Sequence, residues 1–166
     1  MIISVRNFEY ETLKKELRPE DKIIVFSCNN CAKKCKGLGG RAGMNSLGDK
    51  LESDGFNVLC RELCGVACSL DLIRRRANEE STKAVFEEAD VIIPLSCEDG
   101  ERSLPVVFPD KRIIKVTKTL GIGWGSPKDG VRLTTPLAGV NLKIDSPQGI
   151  TIDEAAEQLG LFAGGF

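Results

Sequence analysis

The chain has 166 residues, of which 28% are charged and 42% are hydrophobic, and its formal net charge is −1. This composition is ordinary for a globular protein, and the near-neutral charge excludes a general electrostatic attraction to nucleic acid or to membranes. No apolar run approaches the length of a membrane-spanning helix, and the N-terminus lacks the basic-then-apolar pattern of a secretory signal. We therefore expect a cytoplasmic protein with no membrane insertion and no nucleic-acid partner.

The chain contains seven cysteines and no histidine. The lack of histidine excludes histidine-dependent hydrolase triads, histidine-ligated zinc and histidine acid–base catalysis. In a reducing cytosol, clustered cysteines are more often metal ligands or redox groups than disulfides. Any bound metal is therefore expected to be held by thiolates.

The first third of the chain alternates between helix and strand patterns. A short amphipathic helix is predicted over residues 7–17, and the apolar run Lys22–Ser27 predicts a buried first strand. Apolar residues then recur at helical spacing over residues 44–51, and a glycine at 55 is suited to end that helix. Phe56–Cys60 is the predicted second strand.

The same alternation continues in the middle of the chain. Helices are predicted over residues 66–77 and 79–89, followed by a third strand, Val91–Ser96, and a fourth, Arg112–Thr117. Such alternation predicts an α/β fold with a single doubly wound, mainly parallel sheet of the flavodoxin or Rossmann type. If the strand order is the flavodoxin-like 2-1-3-4, the first strand lies between the second and the third.

The remainder, residues 118–166, differs in character. Four glycines and a proline between residues 121 and 130 predict an irregular extension, and Thr151 and Glu154 have the spacing of a capping box that begins a last short helix. Residues 1–117 are thus predicted to form the α/β domain that carries the site. Residues 118–166 are either part of the same domain or an arm that docks on a partner.

Three cysteines with the spacing C-x2-C-x3-C, Cys28, Cys31 and Cys35, follow the first predicted strand directly. Cys60 ends the second strand and Cys97 follows the third. Because the carboxyl ends of parallel strands share one edge of the sheet, we expect these residues to converge there.

Two further cysteines, Cys64 and Cys68, are spaced four residues apart. If the segment after Cys60 is helical, both lie on one face of that helix and look towards the cysteine loop.

A sulfur-only ligand set favours zinc or an iron–sulfur cluster. The close-set triplet is typical of [4Fe–4S] sites, which take a fourth thiolate from elsewhere in the chain, and Cys97 is the predicted fourth ligand. Structural zinc sites more often use two C-x2-C pairs, whereas this chain has one, so zinc is kept as the alternative. Cys60, Cys64 and Cys68 are candidates for additional ligands or for a second cluster, or else are buried apolar residues.

Cations and glycines surround the triplet. Lys34 and Arg41, together with two neighbouring lysines, are expected to lower the pKa of the thiols and to balance a cluster's negative charge, unless they simply form a solvated basic loop. Gly39 and Gly40 would allow the backbone to approach a cluster closely. The glycines match neither common phosphate-binding motif in register, so no nucleotide is expected in this chain.

Two segments resemble a known family. The strand, the cysteine triplet, the Gly-Gly pair and the following helix, and also the segment Ala89–Gly100 with its apolar strand ending at Cys97, resemble the small, MetV-type subunit of methylenetetrahydrofolate reductases of acetogenic bacteria. The similarity spans roughly residues 20–123. It implies [4Fe–4S] ligation by Cys28, Cys31, Cys35 and Cys97.

The resemblance also implies a role and a set of partners. The chain would be a non-catalytic, iron–sulfur electron-transfer subunit in one-carbon metabolism. It would dock on a flavin-containing catalytic subunit and take electrons from a ferredoxin-like or heterodisulfide-reductase-like donor. The family usually has a second cysteine-rich segment at its C-terminus, whereas no cysteine follows Cys97 here.

Two other classes of function remain open from the residues. One is a structural zinc protein that serves assembly or interaction without redox activity. The other is a thiol-redox protein that uses the Cys28/Cys31 pair.

Overall fold

A computed structural model describes all of residues 1–166. It contains eight strands and seven helices. The strands are β1 (Ile2–Arg6), β2 (Lys22–Cys28), β3 (Asn57–Cys64), β4 (Val91–Leu95), β5 (Arg112–Ile113), β6 (Thr117–Ser126), β7 (Gly130–Pro136) and β8 (Ile150–Thr151). The helices are α1 (Tyr10–Lys15), α2 (Cys31–Lys34), α3 (Gly40–Ser53), α4 (Leu70–Asn78), α5 (Glu80–Glu88), α6 (Glu98–Val107) and α7 (Ile152–Leu159).

The central feature is a four-stranded parallel sheet with the order β3-β2-β4-β5. This is the 2-1-3-4 order considered for the predicted strands, and the α/β class is confirmed. Every residue of β4 is buried, and so is β2 after its first residue, because helices cover the sheet on both faces. Residues of β2 alternate between two apolar clusters: Ile23 packs with α1 and α3, whereas Ile24 packs with α4, α5 and α6.

The prediction of one sheet with an irregular extension is wrong. Strands from both ends of the chain form a second, antiparallel sheet with the order β1-β6-β7-β8. The glycine-rich segment belongs to this sheet as β6, because its glycines lie where neighbouring backbone comes close. A Cβ atom on Gly123 would lie 1.9 Å from the carbonyl oxygen of Arg132, next to an irregularity in the β6–β7 pairing.

Three local predictions also differ from the structure. The segment from Arg61 to Cys64, considered as helical in the sequence, continues strand β3 beyond Cys60. Residues 98–107 form α6, a helix that is absent from the predicted order of elements. The predicted fourth strand divides into the short β5 and the beginning of β6, because the chain leaves one sheet for the other between them. By contrast, the capping box at Thr151 is confirmed.

The two sheets share one apolar cluster, in which Ile3, Leu120 and Leu133 of the antiparallel sheet pack with Phe26 and Ile92 of the parallel sheet. The proposed boundary at residue 117 coincides with the first residue of β6, whose partner β1 lies at the other end of the chain. No helix of the protein is long and apolar enough to cross a membrane.

Candidate metal centre

Three neighbouring strands bring cysteines to the carboxyl edge of the parallel sheet. Cys28 is the last residue of β2, and it is in register with Cys64, the last residue of β3. Cys97 follows β4 by two residues and precedes the first turn of α6. The backbone N–H of Asn29 donates a 2.8 Å hydrogen bond to the carbonyl oxygen of Cys64, which fixes the two strand ends together.

The cysteine loop, residues 28–40, folds back over these strand ends. Cys31 begins the single turn of α2, and Cys35 follows its end. Gly39 returns the chain to the sheet at close range: a Cβ atom there would lie 2.8 Å from the carbonyl oxygen of Cys28 and 2.7 Å from that of Leu95. Any side chain at Gly39 would separate the loop from the ends of β2 and β4, so this glycine is needed for packing of the loop itself.

The segment after β3 forms the opposite side of the site. Ala67 is fully buried, and a Cβ atom on Gly100 of α6 would lie 3.1 Å from its Cβ atom. This contact holds Cys68 beside the first turn of α6 and therefore beside Cys97. Cys68 is exposed, whereas Cys97 is buried.

The thiols at this edge lie close enough to influence one another's pKa values. Burial raises the pKa of Cys97, and the nearby thiol of Cys68 raises it further. Burial likewise raises the pKa of Cys64 and Cys68, and Cys28 lies close enough to raise both further. Loss of a proton from one of these thiols therefore disfavours loss from the next, in the absence of a cation that could balance the charge.

Cys35 is the deepest of the group. It is fully buried, and burial is the main cause that raises its pKa to about 11; neighbouring Cys31 and Cys97 act in the same direction. Its Sγ atom donates a 3.7 Å hydrogen bond to the carbonyl oxygen of Ile2, at the start of β1. The antiparallel sheet thus closes the inner side of the cysteine loop.

Six of the seven cysteines therefore gather at one edge, and the seventh does not. Cys28, Cys31, Cys35 and Cys97, the predicted ligands, are brought together, and so are Cys64 and Cys68. Cys60 is paired with Ile24 in the middle of the sheet, and its charged neighbours are Glu62 and Arg76.

Cys64 reaches the site by a different route from the predicted one. Strand β3 continues for eight residues and ends level with β2, whereas the sequence had predicted a strand that stops at Cys60. No period-two alternation of apolar and polar residues indicates this longer strand, because Arg61 interrupts one face of the segment and Glu62 the other.

The predicted roles of the surrounding cations are not visible in the thiol pKa values. Lys34 and Arg41 are exposed and are not among the main groups that shift the pKa of Cys35, Cys64, Cys68 or Cys97. Lys36 is engaged elsewhere, in an ion pair of 2.6 Å with Asp153 of α7. Gly40 has a φ of +72° and approaches the side chain of Lys33.

Residues of α6 and β6 that the sequence did not single out hold Cys97 in place. The backbone N–H of Glu98 donates to Thr119 Oγ1 at 2.9 Å, and Glu98 Oε1 accepts from the backbone N–H of Thr119 at 3.2 Å. One turn later, Glu101 Oε1 accepts hydrogen bonds from the backbone N–H groups of Val116 and Thr117 and from Thr117 Oγ1, all within 3.1 Å. These contacts tie the first turn of α6 to the start of β6.

In the side-chain conformation described, no three Cys, Asp or Glu residues are arranged so as to hold a metal ion. The cysteine backbones are nevertheless placed by regular strands and by close packing, while each Sγ position depends on one torsion with three staggered minima. The donor set is thiol alone, which is the chemistry that zinc and iron–sulfur clusters require. Metal binding would remove the thiol protons, and the charge of the bound metal would balance the negative charge of the resulting thiolates.

Comparison with models of protein families, with curated proteins and with solved structures found no match to this chain.

Proposed function

We propose that this protein is an accessory electron-transfer subunit that carries a [4Fe–4S] cluster at the carboxyl edge of its parallel sheet. The observation that supports the proposal most directly is the convergence of cysteines from β2, β3 and β4 on one point. A sulfur-only set of six residues at such an edge is more than packing requires, since a buried cysteine is only a small apolar residue.

The cysteine loop supplies three of the proposed ligands, Cys28, Cys31 and Cys35, and the start of α6 supplies Cys97. The bound cluster would provide one-electron redox chemistry. The protein's own part is to hold the four thiolates, to shield them from water by burial, and to keep Cys97 in place through the Glu98–Thr119 contacts. Cys64 and Cys68 are the candidates for additional ligands, since they lie at the same edge.

The proposed partner is a flavin-containing reductase of the methylenetetrahydrofolate reductase type, with a ferredoxin-like or heterodisulfide-reductase-like electron donor. This part of the proposal rests on the resemblance of residues 20–123 to the small subunit of those enzymes. It agrees with the absence of histidine and of a recognisable set of acid–base residues, which indicates a subunit that transfers electrons without performing the chemical step.

A structural zinc site is the second candidate, because the same thiol-only donor set would bind zinc tetrahedrally. A thiol-redox role is less well supported. The Cys28/Cys31 pair alone would serve that role, and the other four cysteines at the same edge would have no part in it.

Anaerobic purification followed by measurement of iron, sulfide and zinc distinguishes these candidates. The proposal predicts about four irons per chain and visible absorption that dithionite bleaches. One zinc without colour would refute the cluster and establish the zinc site. A protein that binds neither metal after reconstitution would refute both.

Single cysteine variants test the ligand set. Cys97→Ser and Cys35→Ser are expected to lower the iron content and the visible absorption substantially. Cys60→Ser is the matched control, because Cys60 lies outside the group and should leave both unchanged. If Cys97→Ser retains the full iron content while Cys64→Ser or Cys68→Ser loses it, the fourth ligand has been misassigned.

A further inference from the structure

A cleft of about 570 Å³ lies between the cysteine loop and the β6–β7 hairpin. Trp124 of β6 and Val131 of β7 supply apolar surface, Pro127 lies in the turn, and Lys34 reaches the cleft from α2. This volume is within the range of pockets that hold small organic ligands. The cleft is separate from the buried cysteines, although Lys34 belongs to the same loop.

The floor of the cleft is the backbone of a strand in which glycines flank the tryptophan. Gly123 and Gly125, on either side of Trp124 in the chain, contribute only backbone atoms to the lining of the cleft. The N-terminal nitrogen of Met1 donates a 2.7 Å hydrogen bond to the carbonyl oxygen of Gly123, so the start of β1 closes one side. The result is an open cleft that one aromatic side chain and strand backbone line together.

The exposure of the indole is unusual for this protein. Trp124 is its single tryptophan and is 38% exposed, whereas most of its other large apolar side chains are buried or partly buried. A partly exposed indole at the side of a cleft offers a stacking surface for another ring. No neighbouring aromatic side chain stacks on it within this chain, in which the stacked pair is Phe86 with Phe108.

The charge in the cleft is positive. Lys34 forms no ion pair, and no aspartate or glutamate lines the cleft. The nearest carboxylate in the hairpin, that of Asp129, is occupied by a 2.8 Å hydrogen bond from Ser126 Oγ. An ammonium group and an indole at one cleft match a ligand that combines an anion with a planar ring.

We propose that the Trp124–Lys34 cleft binds a heteroaromatic monophosphate, with the ring stacked on Trp124 and the phosphate at Lys34. The inference is independent of the metal centre. It also differs in place from the Gly37–Gly43 segment, whose glycines lack a phosphate-binding pattern. A purine nucleotide and a flavin mononucleotide share the required chemistry, and the experiment separates them.

The single tryptophan makes the site directly observable, because protein fluorescence excited at the red edge of absorption comes from Trp124 alone. Calorimetry should be run alongside with AMP and FMN as probes, and with adenosine and riboflavin as their uncharged counterparts. We expect at least one monophosphate to quench the fluorescence and to bind about three- to fivefold more tightly than its nucleoside or riboflavin counterpart, as one exposed ion pair contributes. Ribose 5-phosphate, which has no ring, should not quench.

Two variants test the assigned contacts by calorimetry. Lys34→Gln should abolish the advantage of the monophosphate over its uncharged counterpart and leave binding of the latter unchanged. Trp124→Leu should weaken binding of both about tenfold, since a stacked ring contributes strongly. Lys128→Gln is the matched control, because Lys128 lies in the same hairpin turn but does not line the cleft.

The wild-type titration is interpretable whether or not a variant folds poorly, and circular dichroism reports the folding of each variant. Absence of binding of both monophosphates to the folded wild type at millimolar concentration would overturn the proposal. So would binding that folded Lys34→Gln and Trp124→Leu leave unchanged. Preference for AMP over FMN, or the reverse, would support the proposal and identify the class of ring.

Discussion

The buried carboxyl group of Glu101 makes the stability of this protein depend on pH. Glu101 is 1% exposed and joins α6 to the start of β6 through three hydrogen bonds to Oε1. Burial raises its pKa from 4.5 to about 7, although the donors from Thr117 and Val116 oppose the shift. Glu101→Gln keeps the acceptor oxygen and removes the ionisation.

The sign and size of the effect follow from linkage. The unfolded carboxyl ionises near 4.5 and the folded one near 7, so the native state binds more protons between these pH values. Wild-type stability therefore falls as the pH rises through this interval and becomes level above it. Since one pKa unit corresponds to about 1.4 kcal/mol, the total loss is about 3 kcal/mol.

Urea unfolding, followed by circular dichroism at several pH values under reducing conditions, measures this loss. Glu101→Gln should be about as stable as the wild type at low pH and about 3 kcal/mol more stable above pH 7, as the same linkage requires. Glu157→Gln, on the exposed face of α7, should reproduce the wild-type pH profile within about 0.5 kcal/mol. If the difference in the free energy of unfolding between Glu101→Gln and the wild type is constant over pH, burial does not raise the pKa of Glu101 and the reasoning fails.

Three further substitutions test how the elements are held. Thr151→Ala removes the capping box with Glu154 and should cost about 1 kcal/mol in urea unfolding, whereas Thr151→Ser should keep most of it. Arg76→Met leaves the Glu62 carboxylate, 3% exposed, without its cation and should cost about 2–4 kcal/mol; the cost should shrink in a Glu62→Gln background. Leu47→Ala, fully buried between α3 and the parallel sheet, should lower stability by about 2–5 kcal/mol, and a loss below about 1 kcal/mol would contradict tight packing there.

The parallel sheet was predictable because its signals are local. The apolar runs of β2 and β4 are long enough to indicate strands buried on both faces, and the helical spacing from Met44 to Leu51 indicates the crossover. Cys28 and Cys97 were placed at one edge by position alone, since each directly follows such a strand. The position of Cys64 depends on the length of β3, which the sequence did not indicate. Cys64 reaches the same edge because β3 ends in register with Cys28.

The antiparallel sheet was not predictable in the same way. Its central pairing joins β1 to β6, with Ile2 opposite Ile122. No local pattern records a partner at such a distance, and the glycines of β6 weaken its intrinsic tendency to form a strand. They are tolerated because the close approach of β7 at Gly123 requires them.

The sequence by itself determined the α/β class and the position of the cysteine triplet directly after a buried strand, because each depends on residues close in the chain. Only the tertiary structure decided that Cys64 joins the site and Cys60 does not, since strand register assigns each to a neighbour on β2. It also decided that Lys34 of α2 and Trp124 of β6 line the same cleft, because the two residues lie far apart in the chain. Contacts between distant segments are selected by the total burial of the fold, which no short stretch of sequence specifies.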